Sequence, residues 1–205
     1  MSQHGFARSS IWKLDSVVMD NEAGVSVRLG KIEWIFRFEN IFSNTSLSVL
    51  EVTPEIEAVF PHRFSLAYVV TLATHQLSTD LHVENTSETS TLTFQSLLHT
   101  YFYCDASTVT VSPLNGLTYI DKTNNMAEAL EKREEVDVRT YTDAVYKDAP
   151  GEYYLWYEGS ANKGAGGIHI KTKGFKDAVV WNPKEEAGRA IADMEEGGWY
   201  VPFYA

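Results

Sequence analysis

The sequence predicts an all-β fold with one or two short helices. Aromatic residues make up 13% of the chain, and runs rich in Val, Thr and Tyr, which favour strands, recur along it. Several runs alternate apolar and polar residues with the two-residue period of a half-buried strand, as Val25, Val27 and Leu29 do. No alternation of strand and helix segments runs through the chain, which argues against an α/β fold.

Many short strands separated by turns favour a β-sandwich. Polar or Gly-rich turns are predicted at 43–46, 85–90 and 159–167. Each is only a few residues long, so we expect one domain over residues 1–205 rather than domains joined by linkers. The predicted strands are 25–29, 47–52, 66–74, 79–86, 91–103, 108–112, 136–141, 152–158, 167–172 and 178–181.

Two short segments carry helix formers after a polar or Pro start, and they predict helices at 125–133 and 184–194. Four acidic residues lie in or beside the first segment. The simplest interpretation is that they form the solvated face of a short helix and carry no chemistry. They are Glu128, Glu131, Glu134 and Glu135.

Charge and cysteine content exclude several classes of partner. The chain has 17 basic and 28 acidic side chains, a net charge of −11, whereas nucleic acid and anionic membranes require clustered cations. We therefore expect neither as a partner. The single cysteine, Cys104, cannot form an internal disulfide, and no signal-peptide pattern is present, so a cytoplasmic location is expected. The six histidines lack ligand spacing, and no metal site is predicted.

His99 has the most suggestive neighbourhood among the histidines. If 91–103 is one strand, alternation gives one of its faces a mixed polar and aromatic character. Such a face suits a sugar pocket, because rings pack against apolar C–H groups while polar groups bind hydroxyls. A buried histidine with a hydrogen-bond partner is the alternative, and the pattern alone leaves both open. The residues on this predicted face are Gln95, Leu97, His99, Tyr101 and Tyr103.

Five segments, in the same order along the chain, resemble the glucose-6-phosphate 1-epimerases, the hexose-6-phosphate mutarotases of the aldose 1-epimerase superfamily. The likeness extends from Gln3 to about Trp199. Each motif is weak alone, but five in order at compatible spacing are specific. They are Gln-His-Gly-Phe-Ala-Arg at 3–8, Leu-His-Val-Glu-Asn-Thr at 81–86, Leu-Leu-His-Thr-Tyr-Phe at 97–102, Thr-Asp-Ala-Val-Tyr at 142–146 and Val-Val-Trp-Asn-Pro at 179–183.

The resemblance implies a galactose-mutarotase-like antiparallel supersandwich and an enzyme that interconverts the α and β anomers of hexose 6-phosphates. It implies that His99 is the general acid, since an imidazole gives and regains a proton near neutral pH. By the same comparison, Gln3 and Arg8 are expected to bind substrate and Asp143 to bind sugar hydroxyls. A carboxylate would take the anomeric proton, and no cofactor is required.

The chain departs from the family pattern at both ends. Family members have early strands and a further arginine before the first motif, whereas only two residues precede Gln3 here. Aligned on Trp199, the chain stops at Ala205, about where the family's catalytic glutamate follows. Glu195 and Glu196 precede that strand and are not assigned its role. We therefore expect an incomplete sandwich without the family's N-terminal strands and C-terminal glutamate strand.

Three hypotheses remain open from the sequence. A slowed mutarotase is the first, and a non-catalytic carbohydrate-binding or interaction protein on the same sandwich is the second. An incomplete gene model, in which the natural protein continues past Ala205, is the third. A complete protein is expected to be a monomer, while a truncated one would expose sheet edges and be prone to aggregation.

Overall fold

The computed structural model describes residues 5–20, 27–28, 33–34, 43–158, 166–191 and 202–204. Within these residues the secondary structure is almost entirely antiparallel β-sheet, with two short helices. The all-β prediction is therefore confirmed. The chain divides into two compact units, Met1–Gln95 and Ser96–Ala205, and each is described by itself. The expectation of a single domain stays a prediction. No helix in the described ranges is long and apolar enough to span a membrane.

The first unit is built on a four-stranded antiparallel sheet with the order β1-β4-β5-β6. A separate two-stranded ladder joins β2 to β3. The elements of this unit are β1 (Trp12–Asp20), β2 (Val27–Arg28), β3 (Glu33–Trp34), β4 (Ser43–Leu50), α1 (Pro54–Val59), β5 (Phe64–Ala73) and β6 (Gln76–Asn85).

Helix α1 was not predicted, yet its start has clear local signals. The Thr53 side chain accepts a hydrogen bond from the Ile56 backbone N–H at 3.4 Å, Pro54 opens the first turn, and Glu55 favours the positive end of the helix dipole. Ile56 is buried in a core cluster with residues of the sheet. The buried members of that cluster are Trp12, Leu50, Ile56, Phe64 and Leu66.

The second unit contains a six-stranded sheet with the order β10-β9-β12-β15-β16-β7 and a four-stranded sheet with the order β11-β8-β13-β14. Its elements are β7 (Tyr101–Tyr103), β8 (Thr110–Ser112), β9 (Thr118–Asp121), β10 (Ala127–Leu130), β11 (Val136–Asp137), β12 (Thr142–Tyr146), β13 (Glu152–Tyr157), β14 (Gly166–Lys171), β15 (Ala178–Asn182), α2 (Lys184–Gly188) and β16 (Pro202–Tyr204).

A single hydrophobic core joins the two sheets of the second unit. Alternate residues of β12 and β15, namely Ala144, Tyr146 and Val180, are buried in the same cluster as Val111 of β8 and Leu155 of β13. Alternation then turns the intervening residues of β12 and β15 to the opposite face of their sheet. This sandwich arrangement gives the six-stranded sheet one core face and one outer face.

The helix predicted at 125–133 is wrong. Asn125 and Met126 have φ of 51° and 61°, which is a turn conformation, and the following strand β10 pairs with β9 through contacts such as Glu128 with Ile120. Helix propensities differ by less than about 1 kcal/mol per residue, so the sheet pairing outweighs them. The helix predicted at 184–194 does begin at Lys184 but ends at Gly188, and residues 192–194 lie outside the described ranges.

Two further local predictions are wrong. Residues 43–46, predicted as a turn, belong to β4, because they pair in register with the end of β5. The strand predicted at 91–103 is confined to Tyr101–Tyr103, and residues 91–100 have no regular structure.

Glu131 is not a solvated residue, contrary to the sequence interpretation. Its side chain is only 3% exposed, and both carboxylate oxygens accept hydrogen bonds. The Arg133 Nε and Nη2 atoms donate at 2.9 and 2.7 Å, and the Tyr146 hydroxyl donates at 2.8 Å. Burial alone would raise the pKa of Glu131, but the hydrogen bonds from Arg133 and Tyr146 outweigh it and lower the pKa to about 2.

This shift predicts an acid-dependent loss of stability. Because the folded pKa of Glu131 lies below the ordinary 4.5, its contribution is fully present above about pH 4.5 and is lost as the pH falls towards 2. The contribution is about 3 kcal/mol. As the pH falls from about 4.5 to about 2, the free energy of unfolding of the wild-type chain should decrease by about 3 kcal/mol more than that of Glu131→Gln. Urea denaturation at each pH measures both free energies.

Glu128→Gln is the matched control, since Glu128 lies three residues before Glu131, in β10, but is 61% exposed. Its stability should follow the wild-type pH profile. Parallel profiles for the wild-type chain and Glu131→Gln would contradict the assignment of the acid-dependent term to Glu131.

Candidate active site

Three side chains form a row across the outer face of the six-stranded sheet. Asp143 of β12 lies directly opposite Trp181 of β15 in the antiparallel register. On the other side of β12, the Lys122 backbone N–H donates to the Asp143 carbonyl at 2.8 Å, which continues the pairing of β9 with β12. Side chains at directly opposed positions lie on the same face, about 5 Å apart at their Cβ atoms. Backbone pairing alone therefore aligns Lys122, Asp143 and Trp181.

The carboxylate in this row is only partly satisfied. Asp143 Oδ1 lies 3.1 Å from Lys122 Nζ, and the two side chains are 15% and 43% exposed. The direction in which Nζ approaches Oδ1 does not give hydrogen-bond geometry. Among the described residues, Oδ1 is therefore a buried oxygen without a hydrogen-bond donor. A buried acceptor without a donor is costly. The Lys122 ammonium offsets part of that cost by charge pairing at 3.1 Å.

His99 reaches this row through ring contacts. Its imidazole stacks on Tyr101 with centroids 4.7 Å apart and planes at 28°. The same imidazole meets the Trp181 ring edge-on at 6.1 Å and 76°. His99 is exposed, so the alternative of a buried histidine is wrong. It also precedes β7, so the strand alternation proposed for Gln95, Leu97 and His99 does not exist.

The structure thus brings two of the four predicted site residues, His99 and Asp143, to one tryptophan. Arg8 lies in the first unit, exposed in a turn that follows Gly5. Ser10 donates backbone and side-chain hydrogen bonds to the Phe6 carbonyl, and the Phe6 ring is anchored in the core of that unit. Gln3 lies outside the described residues.

Sequence reasoning missed Lys122 altogether. No strand was predicted at β9, and Lys122 lies 21 positions before Asp143 in the chain, so no local pattern links them. Trp181 was noted only as part of a motif. Their proximity to Asp143 comes from strand pairing, which a single sequence does not reveal.

The chemistry that this cluster offers is that of a carbohydrate site. The rings of Tyr101 and Trp181 can pack against apolar C–H faces, the Asp143 carboxylate can accept hydroxyl hydrogen bonds, and the His99 imidazole can transfer a proton. Within the described part of the chain, no group of three or more His, Cys, Asp or Glu side chains is arranged to hold a metal ion.

Comparison with known proteins shows the family of the chain. A family model described as aldose 1-epimerase matches residues 1–201, so the chain belongs to the aldose 1-epimerase family. A protein of Cenchrus ciliaris named "Putative glucose-6-phosphate 1-epimerase" is 24% identical over 197 residues, which cover 95% of this chain.

A solved structure also shares the fold. The crystal structure of "a putative mutarotase (YeaD)" from Salmonella typhimurium matches 100% of this chain with a TM-score of 0.75 and 20% sequence identity. The predicted mutarotase-like β-sandwich is therefore confirmed. The chain spans 54% of the Cenchrus protein and 59% of the Salmonella chain.

The ring contacts predict an NMR signature for His99. Trp181→Ala removes an aromatic ring 6.1 Å from the imidazole, so the resonances of the His99 ring protons should move. The ring protons of His169 should not move, because His169 stacks on Tyr154 in the four-stranded sheet. Two-dimensional spectra of the histidine rings test this, and unchanged His99 resonances would contradict the contact.

Proposed function

We propose that this protein interconverts the α and β anomers of hexose 6-phosphates such as glucose 6-phosphate, with His99 as the general acid. One observation carries the proposal: the His99 ring contacts Trp181, the residue directly opposite Asp143 in the sheet. A histidine, a tryptophan ring and a carboxylate are thereby neighbours, and the chemistry of these groups supports the proposed roles. Membership of the aldose 1-epimerase family supports the same reaction class.

The reaction requires one proton to be given and one to be taken. His99 donates a proton to the ring oxygen while a carboxylate base removes the proton of the anomeric hydroxyl. The bond between C1 and the ring oxygen breaks, leaving an aldehyde at C1 and a hydroxyl at C5. After rotation about the C1–C2 bond, the ring closes with the reverse proton transfers and gives the other anomer. The family resemblance implies a glutamate as the base, and no residue of this chain is assigned that role.

The sugar itself would be held by the row on the outer face. The Asp143 carboxylate, whose side chain is 15% exposed, would accept a hydrogen bond from a sugar hydroxyl. Tyr101, 57% exposed, and Trp181 would pack against the ring of the sugar.

The substrate class rests on different support. The Cenchrus relative is named for glucose 6-phosphate, and Arg8 is an exposed guanidinium whose donor fork suits phosphate oxygens. Gln3 is proposed as a further substrate ligand. Phosphorylated hexoses are therefore favoured over neutral hexoses.

The first test measures the exchange rate between the anomers of glucose 6-phosphate by magnetisation-transfer NMR. The wild-type 205-residue chain should exchange the anomers faster than buffer alone does. In His99→Ala this excess rate should fall by about 10²- to 10⁴-fold, which is the usual contribution of a positioned general acid.

His169→Ala is the matched control for this experiment. His169 is also exposed and stacked on a tyrosine, at 4.5 Å, but it lies in the four-stranded sheet. Its exchange rate should equal that of the wild-type chain. Equal exchange rates for the wild-type chain and His99→Ala would contradict the assignment of His99 as the general acid. Sugar binding without exchange would favour a non-catalytic carbohydrate-binding protein instead.

A second test concerns phosphate recognition. Arg8→Met should weaken the binding of glucose 6-phosphate about ten-fold or more, because a hydrogen bond to a charged group is lost. It should leave the binding of glucose unchanged. Arg63→Met, which removes another exposed arginine of the first unit, is the control for both ligands. Calorimetric titration of the wild-type chain and both variants measures all six affinities, and an equal loss for both sugars in Arg8→Met would contradict a phosphate contact.

A further inference from the structure

Lys122 stands beside the candidate sugar ligand Asp143 and has no role in the scheme above. Resting on the proposed function, we propose that Lys122 is a positioning residue: its ammonium, held at Oδ1, orients the Asp143 carboxylate so that the carboxylate accepts a sugar hydroxyl. Lys122 would thus determine affinity for the sugar moiety without itself binding the phosphate.

The backbone fixes the pair before any side-chain contact is made. Lys122 follows directly after the last residue of β9, and its N–H donates to the Asp143 carbonyl at 2.8 Å. The two residues are therefore cross-strand neighbours on one face of the sheet. The Nζ atom lies 3.1 Å from Oδ1, so the ammonium is held at the buried oxygen of the carboxylate.

The Asp143 side chain is more deeply buried than the Lys122 side chain. Asp143 is 15% exposed while Lys122 is 43% exposed. A carboxylate largely removed from water is stabilised by a nearby opposite charge, and the ammonium supplies that charge. Because Oδ1 is buried and lies against Lys122, a ligand hydroxyl would approach the part of the carboxylate that stays exposed.

The same geometry argues against a direct phosphate contact. A phosphate that approached Lys122 would meet an ammonium already compensated by a carboxylate 3.1 Å away. The pair presents a dipole rather than a full positive charge, and its attraction for an anion is correspondingly weak. The effect of Lys122 should therefore be the same for glucose and for glucose 6-phosphate.

A double-mutant cycle tests this coupling. The affinities of glucose and of glucose 6-phosphate are measured by calorimetry for the wild-type chain, Lys122→Met, Asp143→Asn and the double variant. Lys122→Met should weaken both sugars by roughly five- to ten-fold, since the acceptor is misoriented but present. In the Asp143→Asn background the same change should cost less than about two-fold, because there is no carboxylate left to orient. Lys122→Arg should recover most of the lost affinity.

Lys147→Met is the matched control. Lys147 follows β12 on the same face of the same sheet and is ion-paired with Glu128, but it lies four residues from Asp143, roughly 13 Å along the strand. Its removal should leave both affinities unchanged. Thermal unfolding of each variant separates a loss of affinity from a loss of folding.

Four results would overturn the inference. Additive effects of Lys122→Met and Asp143→Asn would mean that Lys122 does not act through Asp143. A loss confined to glucose 6-phosphate would mean a direct phosphate contact, and unchanged affinities would mean no role. If the wild-type chain bound both sugars but did not exchange the anomers, the proposed function would be contradicted, and the double-mutant cycle could still be interpreted. A folded wild-type chain that bound neither sugar would overturn both proposals.

Discussion

The antiparallel register of β9, β12 and β15 is the constraint on which the second unit depends. Side chains alternate between the two faces of a sheet, so a slip of one residue would exchange them. The register that buries Ala144 and Val180 in the core also brings Asp143 opposite Trp181 on the outer face. Packing of the core and alignment of the candidate site are thus two results of one pairing. A slip of this register would disturb both.

A buried charge network reinforces the same strand from the core side. Glu131 accepts from the Tyr146 hydroxyl at 2.8 Å, and Tyr146 is fully buried three residues after Asp143 in β12. The backbone of Glu131 also pairs with Gly116 and Leu117, which extends the β9–β10 hairpin. Breaking a buried pair by removing one partner is costly. The hydrogen bond between Tyr146 and Glu131 therefore connects the β9–β10 hairpin, which contains Lys122 directly after β9, to β12, the strand that carries Asp143.

Sequence patterns predicted strands well where one face is buried. The predicted segments 66–74, 152–158 and 178–181 match β5, β13 and β15 to within about two residues. Propensity failed at β10, because the pairing with β9 is a tertiary interaction that no local preference records. The site shows the same division: motifs pointed to His99 and Asp143, whose roles stay predictions. Lys122 joins Asp143 only through register.

Among its described residues, the second unit contains the same aromatic pairing twice. His99 stacks on Tyr101 at 4.7 Å, and His169 stacks on Tyr154 at 4.5 Å. A three-dimensional template of a histidine on a tyrosine would select both places equally. Their surroundings separate them, because His169 is bonded to the exposed Glu152, whereas His99 adjoins Trp181. A search for relatives of this site by local geometry would therefore gain its selectivity from the tryptophan rather than from the stacked pair.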